Sequence, residues 1–227
     1  MSPSPSRPKE LAIPLLIGLI AFMFLFALIQ VGAVSIAFEK LGLTGGSGML
    51  LLLSCIGGSL INMPLFQMQT SADARTDRPS VPIPWLQHRQ PPFHGRTVVA
   101  INVGGAIIPA TFCLYLAATQ PVPLLGVLLA TAGQTAVCYF FSRPVPGLGI
   151  GMPILVAPIA AAVLGVAFGG EHSPAVAYIA GTLGVLAGAD LLRINDIRSL
   201  GVPVASIGGA GTFDGVFITG IVAVLLA

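Results

Sequence analysis

A chain of 227 residues with 55% hydrophobic and only 8% charged side chains, and a mean hydropathy of +0.95, departs from the pattern of a soluble domain, where about a quarter of the residues are charged. A formal charge of +2, with no basic patch interleaved by aromatics, excludes a nucleic-acid surface. Several apolar runs of about 20 residues instead predict an all-α, polytopic membrane helix bundle, with the lipid bilayer as its first partner.

Residues 1–10 form a short polar tail with Arg7 and Lys9, and 11–38 is an apolar run too long for a signal-peptide core, hence a retained first span. A Gly-rich turn at 39–48 leads to a second span at 49–66, which carries Gly57-Gly58-Ser59 and Asn62-Met63-Pro64. Residues 67–96 form a Pro/Arg-rich loop with Arg75, Arg78, Arg89 and Arg96, expected in the cytoplasm within a single integral membrane domain, 1–227. Its prolines argue against a packed subdomain, and Trp85 suits the headgroup layer. The third span, 97–118, contains Asn102 and Gly104-Gly105; the fourth is 124–141, with Gln134. The fifth, 150–168, holds Pro153 and Pro158, and the sixth is 175–192, ending in Asp190.

The seventh segment, 202–227, is long enough to cross a bilayer but begins badly for a helix. Gly208, Gly209 and Gly211 each cost about 1 kcal/mol there relative to Ala. Asp214 adds a carboxylate at a cost of about 2.5–3.5 kcal/mol at a membrane helix centre. Non-helical backbone at that depth must be buried in protein or line a wet cavity. The expectation is an extended or re-entrant leg over 202–212 and a half-helix over 213–227. Alternating from an inside N-terminus sorts nine of the 10 Lys and Arg residues to the cytoplasm and leaves only Lys40 outside, which the positive-inside rule favours. The sorting predicts about seven crossings, N-in and C-out, in the cell's inner (plasma) membrane, with the last segment broken.

Asp190 lies three residues before Arg193, near the inner end of its helix. If 202–212 dips inward, Asp214 starts its half-helix at a similar depth. Two carboxylates a few ångströms apart cannot both ionise, so one keeps a proton while the other acts as a base. Each residue has a plainer reading too. Asp214 can cap the half-helix, and Asp190 can pair with Arg193 at i+3. Asn62, Asn102 and Gln134, with Gly208, Gly209, Gly211, Thr212 and Gly215, are the candidates to line the acid pair; close helix packing is the competing role for the glycines and asparagines. His88 and His94 lack metal-ligand spacing, and Cys55, Cys113 and Cys138 sit singly in apolar segments, so no metal and no cofactor is expected. No nucleotide-binding loop is present, because the glycine run ends without Gly-Lys-Ser/Thr.

The run from Gly188-Ala-Asp190 to Ser206-Ile-Gly-Gly-Ala-Gly-Thr-Phe-Asp-Gly-Val-Phe-Ile-Thr-Gly220 resembles the signature of an uncharacterised "domain of unknown function" family of bacterial and archaeal multi-pass membrane proteins. That resemblance implies a shared fold without an activity. More distantly, Ala189-Asp190 and Gly209-Ala-Gly-Thr-Phe-Asp214 resemble the paired aspartate motifs of presenilin and signal-peptide-peptidase type intramembrane proteases. There Tyr precedes the first acid, Gly-x-Gly directly precedes the second, and a Pro-Ala-Leu element follows; Ala189, two extra residues and Ile108-Pro109-Ala110 stand in their places. The implied activity is an aspartyl-protease-like hydrolase acting on a membrane-embedded peptide. The same residues also suit a proton- or cation-coupled transporter of a small solute, with a homo-oligomer supplying the missing repeat, or a scaffold subunit in which the acids are dispensable.

Overall fold

The computed structural model describes Leu19, Phe22, Met23 and residues 30–70, 95–145, 149–209 and 215–227. Most of these residues are helical: α1 (Gln30–Lys40), α2 (Gly45–Ser59), α3 (Ile108–Thr119), α4 (Leu124–Phe141), α5 (Val156–Gly169), α6 (Ser173–Val185) and α7 (Gly215–Leu226). Two stretches, Leu124–Phe141 and Val156–Leu191, are long and apolar enough to cross a membrane, and the pair α1–α2, bent by 109°, makes a third if taken as one span. The Val156–Leu191 stretch doubles back at Gly170, whose φ of +56° turns the chain. Gly165 then faces Ala177 and Gly181 faces Ala161. At 18 residues α4 is about 27 Å long, close to the hydrocarbon thickness of about 30 Å. The 12 residues of α7 reach only about 18 Å.

Glycine and alanine set the helix spacing. Gly126 lies against the Phe168 carbonyl, Gly184 against the Gln134 side chain and Gly188 against the Thr135 carbonyl, so α4 and α6 run parallel and α5 packs antiparallel to both. Gly220 of α7 sits on the Tyr178 ring of α6. In a bilayer helices have no hydrophobic reason to associate, and close approach of this kind is what makes their contact favourable there. The main buried cluster runs through Leu41, Phe112, Leu116, Val176, Tyr178, Ile179, Phe217 and Val224.

The expected helical spans at 49–66 and 97–118 are each part strand. Helix α2 ends at Ser59, and β1 (Asn62–Gln69) pairs antiparallel with β2 (Arg96–Asn102), Asn62 opposite Asn102. Pro64 disfavours helix in its predecessor, and the β-branched run Thr97-Val98-Val99 favours strand. The fifth expected span also starts late. A small hairpin, β3 (Arg143–Val145) and β4 (Gly149–Gly151), occupies its beginning, and α5 starts at Val156. Residues 202–209 carry β5 (Val204–Ile207), which pairs parallel with β2 and completes a sheet of order β1-β2-β5.

This sheet marks one end of the bundle. Arg96, Arg143, Arg193 and Arg198 belong to it or to the segments beside it. At the opposite end Lys40 donates to the Val224 and Leu225 carbonyls, closing the last turn of α7. Gln120 there donates to the Leu41 carbonyl. Most of the 67–96 loop (71–94) and residues 1–18 lie outside the described residues.

Candidate functional site: a polar node at the sheet end

Strands β2 and β5 run in register, Val98 opposite Val204 and Ile101 opposite Ile207, and each gives way at its C-terminal end to a glycine pair. After β2 the chain enters a π-helical turn, Val103–Ile107, started by Asn102. The Asn102 side chain is 1% exposed and fully used: Oδ1 accepts from Gly105 N at 2.7 Å, while Nδ2 donates to the Ser59 carbonyl at 2.7 Å and to Asn62 Oδ1 at 3.0 Å. One donor faces its oxygen and two acceptors face its nitrogen, which fixes the amide orientation. Asn62 Oδ1 also accepts from Ser206 Oγ at 2.6 Å, so the three strands are tied together by side chains where the sheet meets the helices. Ser206 was not among the residues the sequence singled out. Its signal was its place two residues before Gly208-Gly209 on the strand.

After β5, Gly208 and Gly209 take φ values of +77° and +92°, a left-handed path closed to most side chains. Gly105 lies against the Gly208 carbonyl, and Gly104 against Cys55 O and Ser59 N, so no Cβ fits at either position. Val98 N donates to Pro203 O, and strand alternation then points the N–H groups of Ser206 and Gly208 away from β2. Asp190 meets the second of these: its Oδ2 accepts from Gly208 N at 2.8 Å.

Asp190 is half-buried on a π-helical stretch, Leu186–Leu191, that widens the end of α6; Leu192 N reaches back five residues to Ala187 O. Such widenings recur at functional sites because they re-aim one side chain out of helical register. The alternative partner, Arg193, is engaged elsewhere. It donates to Asp196 Oδ2 at 3.0 Å, to Ser142 Oγ at 3.3 Å and to the Tyr139 carbonyl at 2.7 Å, and its guanidinium lies 4.3 Å from the Tyr139 ring centre. The acid is thus directed to the glycine turn, and the arginine to the hinge between α4 and β3.

Of the candidates, Asn62, Asn102, Gly208 and Asp190 lie along connected hydrogen bonds or direct packing contacts, with Gly209 next in chain. Gln134 is held separately: its Nε2 donates to Ala157 O at 2.9 Å, between α4 and α5, and its buried Oε1 has no partner among the described residues. Gly215 is the first residue of α7. Gly211, Thr212 and Asp214 lie outside the described residues. Among the described residues no three His, Cys, Asp or Glu side chains gather as a metal ion would require.

The model of a protein family of unknown function, DUF1614, matches residues 56–226. The chain belongs to the DUF1614 family. The match spans the node from α2 through the glycine turn to α7, and it leaves out the first 55 residues. No curated protein and no solved structure shows significant similarity to the chain.

Proposed function

We propose that this DUF1614 protein is an inner-membrane protein of seven crossings, N-in and C-out, in which Asp190 and Asp214 form a water-activating pair, making it an intramembrane aspartyl-protease-like hydrolase. One observation carries the reading. Both flanks of the 209–215 connection lie close to the Asp190 segment: the Gly208 amide donates to the Asp190 carboxylate, and Val216 belongs to the same buried cluster as Leu186 and Ala189. Asp214 lies between those anchors in sequence, next to Gly215.

The chemistry follows from mutual repulsion. One carboxylate ionises and accepts a proton from water as the water oxygen attacks a peptide carbonyl; the other, still protonated, gives its proton to the carbonyl oxygen. Collapse of the resulting diol breaks the C–N bond and returns a proton to the leaving amine. The Gly208 amide holds the Asp190 carboxylate in place, and in this reading Asp190 is the base and Asp214 the acid.

A proton- or cation-coupled transporter is the second reading. It is favoured by the buried oxygens Thr131 Oγ1 and Gln134 Oε1 within the helices, which have no partner among the described residues, since polar atoms inside a membrane bundle mark solute or proton paths.

Reconstitution in proteoliposomes with single-span peptides separates the two. The hydrolase reading predicts cleavage abolished by Asp190→Asn and by Asp214→Asn, each with unchanged expression. Proton-dependent solute flux without cleavage of any peptide in the panel would replace it with transport.

A further inference from the structure

Beyond the node, at the same end of the bundle, α4 and the β3–β4 hairpin enclose an open cleft of about 490 Å³ lined by Phe140, Phe141, Arg143, Gly151, Met152 and Pro153. Its walls are apolar and its rim is cationic. Phe140 is 81% exposed, more than packing or a polar solvent would favour for so large an apolar ring. The 3-10 turn Ile194–Ser199 packs beside β3 and carries exposed Arg198. Neither Arg143 nor Arg198 has a hydrogen-bond or ion-pair partner among the described residues, whereas Arg193 between them is satisfied by Asp196. Arg143 thus lines an aromatic trough at the end of a membrane-length helix, and the turn that carries Arg198 packs against the same strand.

We propose that this cleft binds an anionic glycerophospholipid, its phosphate on Arg143 and Arg198 and the upper part of one acyl chain against Phe140, Met152 and Pro153. Charge decides the headgroup class. Guanidinium matches phosphate geometry, and basic pockets at the inner ends of membrane helices take anionic headgroups. A zwitterionic head would bring its ammonium toward the same arginines, where the described lining of the cleft offers no carboxylate to receive it. The inference rests on the membrane placement in the functional reading and not on the Asp190–Asp214 chemistry.

The test uses the full chain in mild detergent, with lipid retention read by native mass spectrometry. Dioleoyl phosphatidylglycerol should be kept in clear preference to dioleoyl phosphatidylcholine, and soluble glycerol phosphate should not displace it. Affinity for phosphatidylglycerol should fall about fivefold for each of Arg143→Gln and Arg198→Gln, while Arg143→Lys recovers most of the loss. Asp190→Asn and Asp214→Asn should keep the lipid preference, so failure of the acid-pair chemistry leaves this site standing, and the converse. Equal retention of the two lipids, undiminished binding in the double glutamine variant, or displacement by glycerol phosphate at matched concentration would each overturn it.

Discussion

At the scale of single residues, Asp190 combines a structural task with the chemical one proposed for it, and the two can be separated. Its carboxylate satisfies the Gly208 amide, which faces away from β2 and has no strand partner on that side. Asn can accept the same hydrogen bond but cannot serve as a base. Asp190→Asn is therefore predicted to melt within about 1 kcal/mol of the parent while losing hydrolysis, whereas Asp190→Ala leaves the amide unpaired and costs about 1–3 kcal/mol. Thermal unfolding in detergent beside a cleavage assay checks both; an Asn variant that melts as early as the Ala variant would mean that Asp190 acts only through its charge on the fold. Asn102 has no such division. Its three hydrogen bonds join the end of α2, β1 and the π turn, and Asn102→Ala should cost about 3 kcal/mol, because the Gly105 N–H and Ser59 carbonyl lose a buried partner.

At the scale of elements, the node depends on two glycine turns that nest against each other. The sequence repeats the pattern in Val103-Gly-Gly-Ala106 and Ile207-Gly-Gly-Ala210, and the strands before them pair in register. Gly104→Ala places a methyl group against the backbone at Cys55 and Ser59; backbone cannot yield as a side chain can, so a loss at the upper end of about 1–3 kcal/mol is expected. Gly215→Ala is the control, because a Cβ there meets open space. Equal melting of the two variants would argue against nesting as the organising contact. Here the sequence was informative only in part. The three glycines at 208–211 and the acid after them announced a break in the last segment, because helix cost per glycine is local and additive. The strands at 62–69 and 96–102 were hidden, since a short apolar run has no period of its own to separate strand from buried helix. Asn62 and Asn102, which looked like two separate packing sites, face each other across that sheet. The choice Arg193 makes between Asp190 and Asp196 was equally invisible: both lie three residues away, and only the π-helical widening of α6 turns Asp190 out of reach of a helical i+3 pairing.

At the scale of the whole molecule, the bundle is polarised. The described arginines gather at the sheet end, and Lys40 closes α7 at the other. In the proposed topology the node faces the cytoplasm. Reporter fusions after Arg143 and Arg198 should report the cytoplasm and fusions after Gln120 and Glu171 the outside; a cytoplasmic reading for the C-terminus would remove the seventh crossing. The 12-residue α7 is the element most exposed to that risk, at about 18 Å in a layer of about 30 Å.

The central claim is that Asp190 and Asp214 meet, and proximity cross-linking tests it most directly. With Cys55, Cys113 and Cys138 replaced by Ala, Asp190→Cys and Asp214→Cys are combined in one chain and treated with a short bifunctional thiol reagent in native membranes. Disulfide formation itself requires Cα atoms within about 7 Å, and the reagent widens that limit slightly. The account predicts efficient linkage of 190 to 214 and little linkage of 190 to a Val222→Cys control further along α7. Linkage of 190 to a cysteine at Ile207 with none to 214 would contradict it, and would leave Asp190 as the cap of the β5 edge with no partner acid.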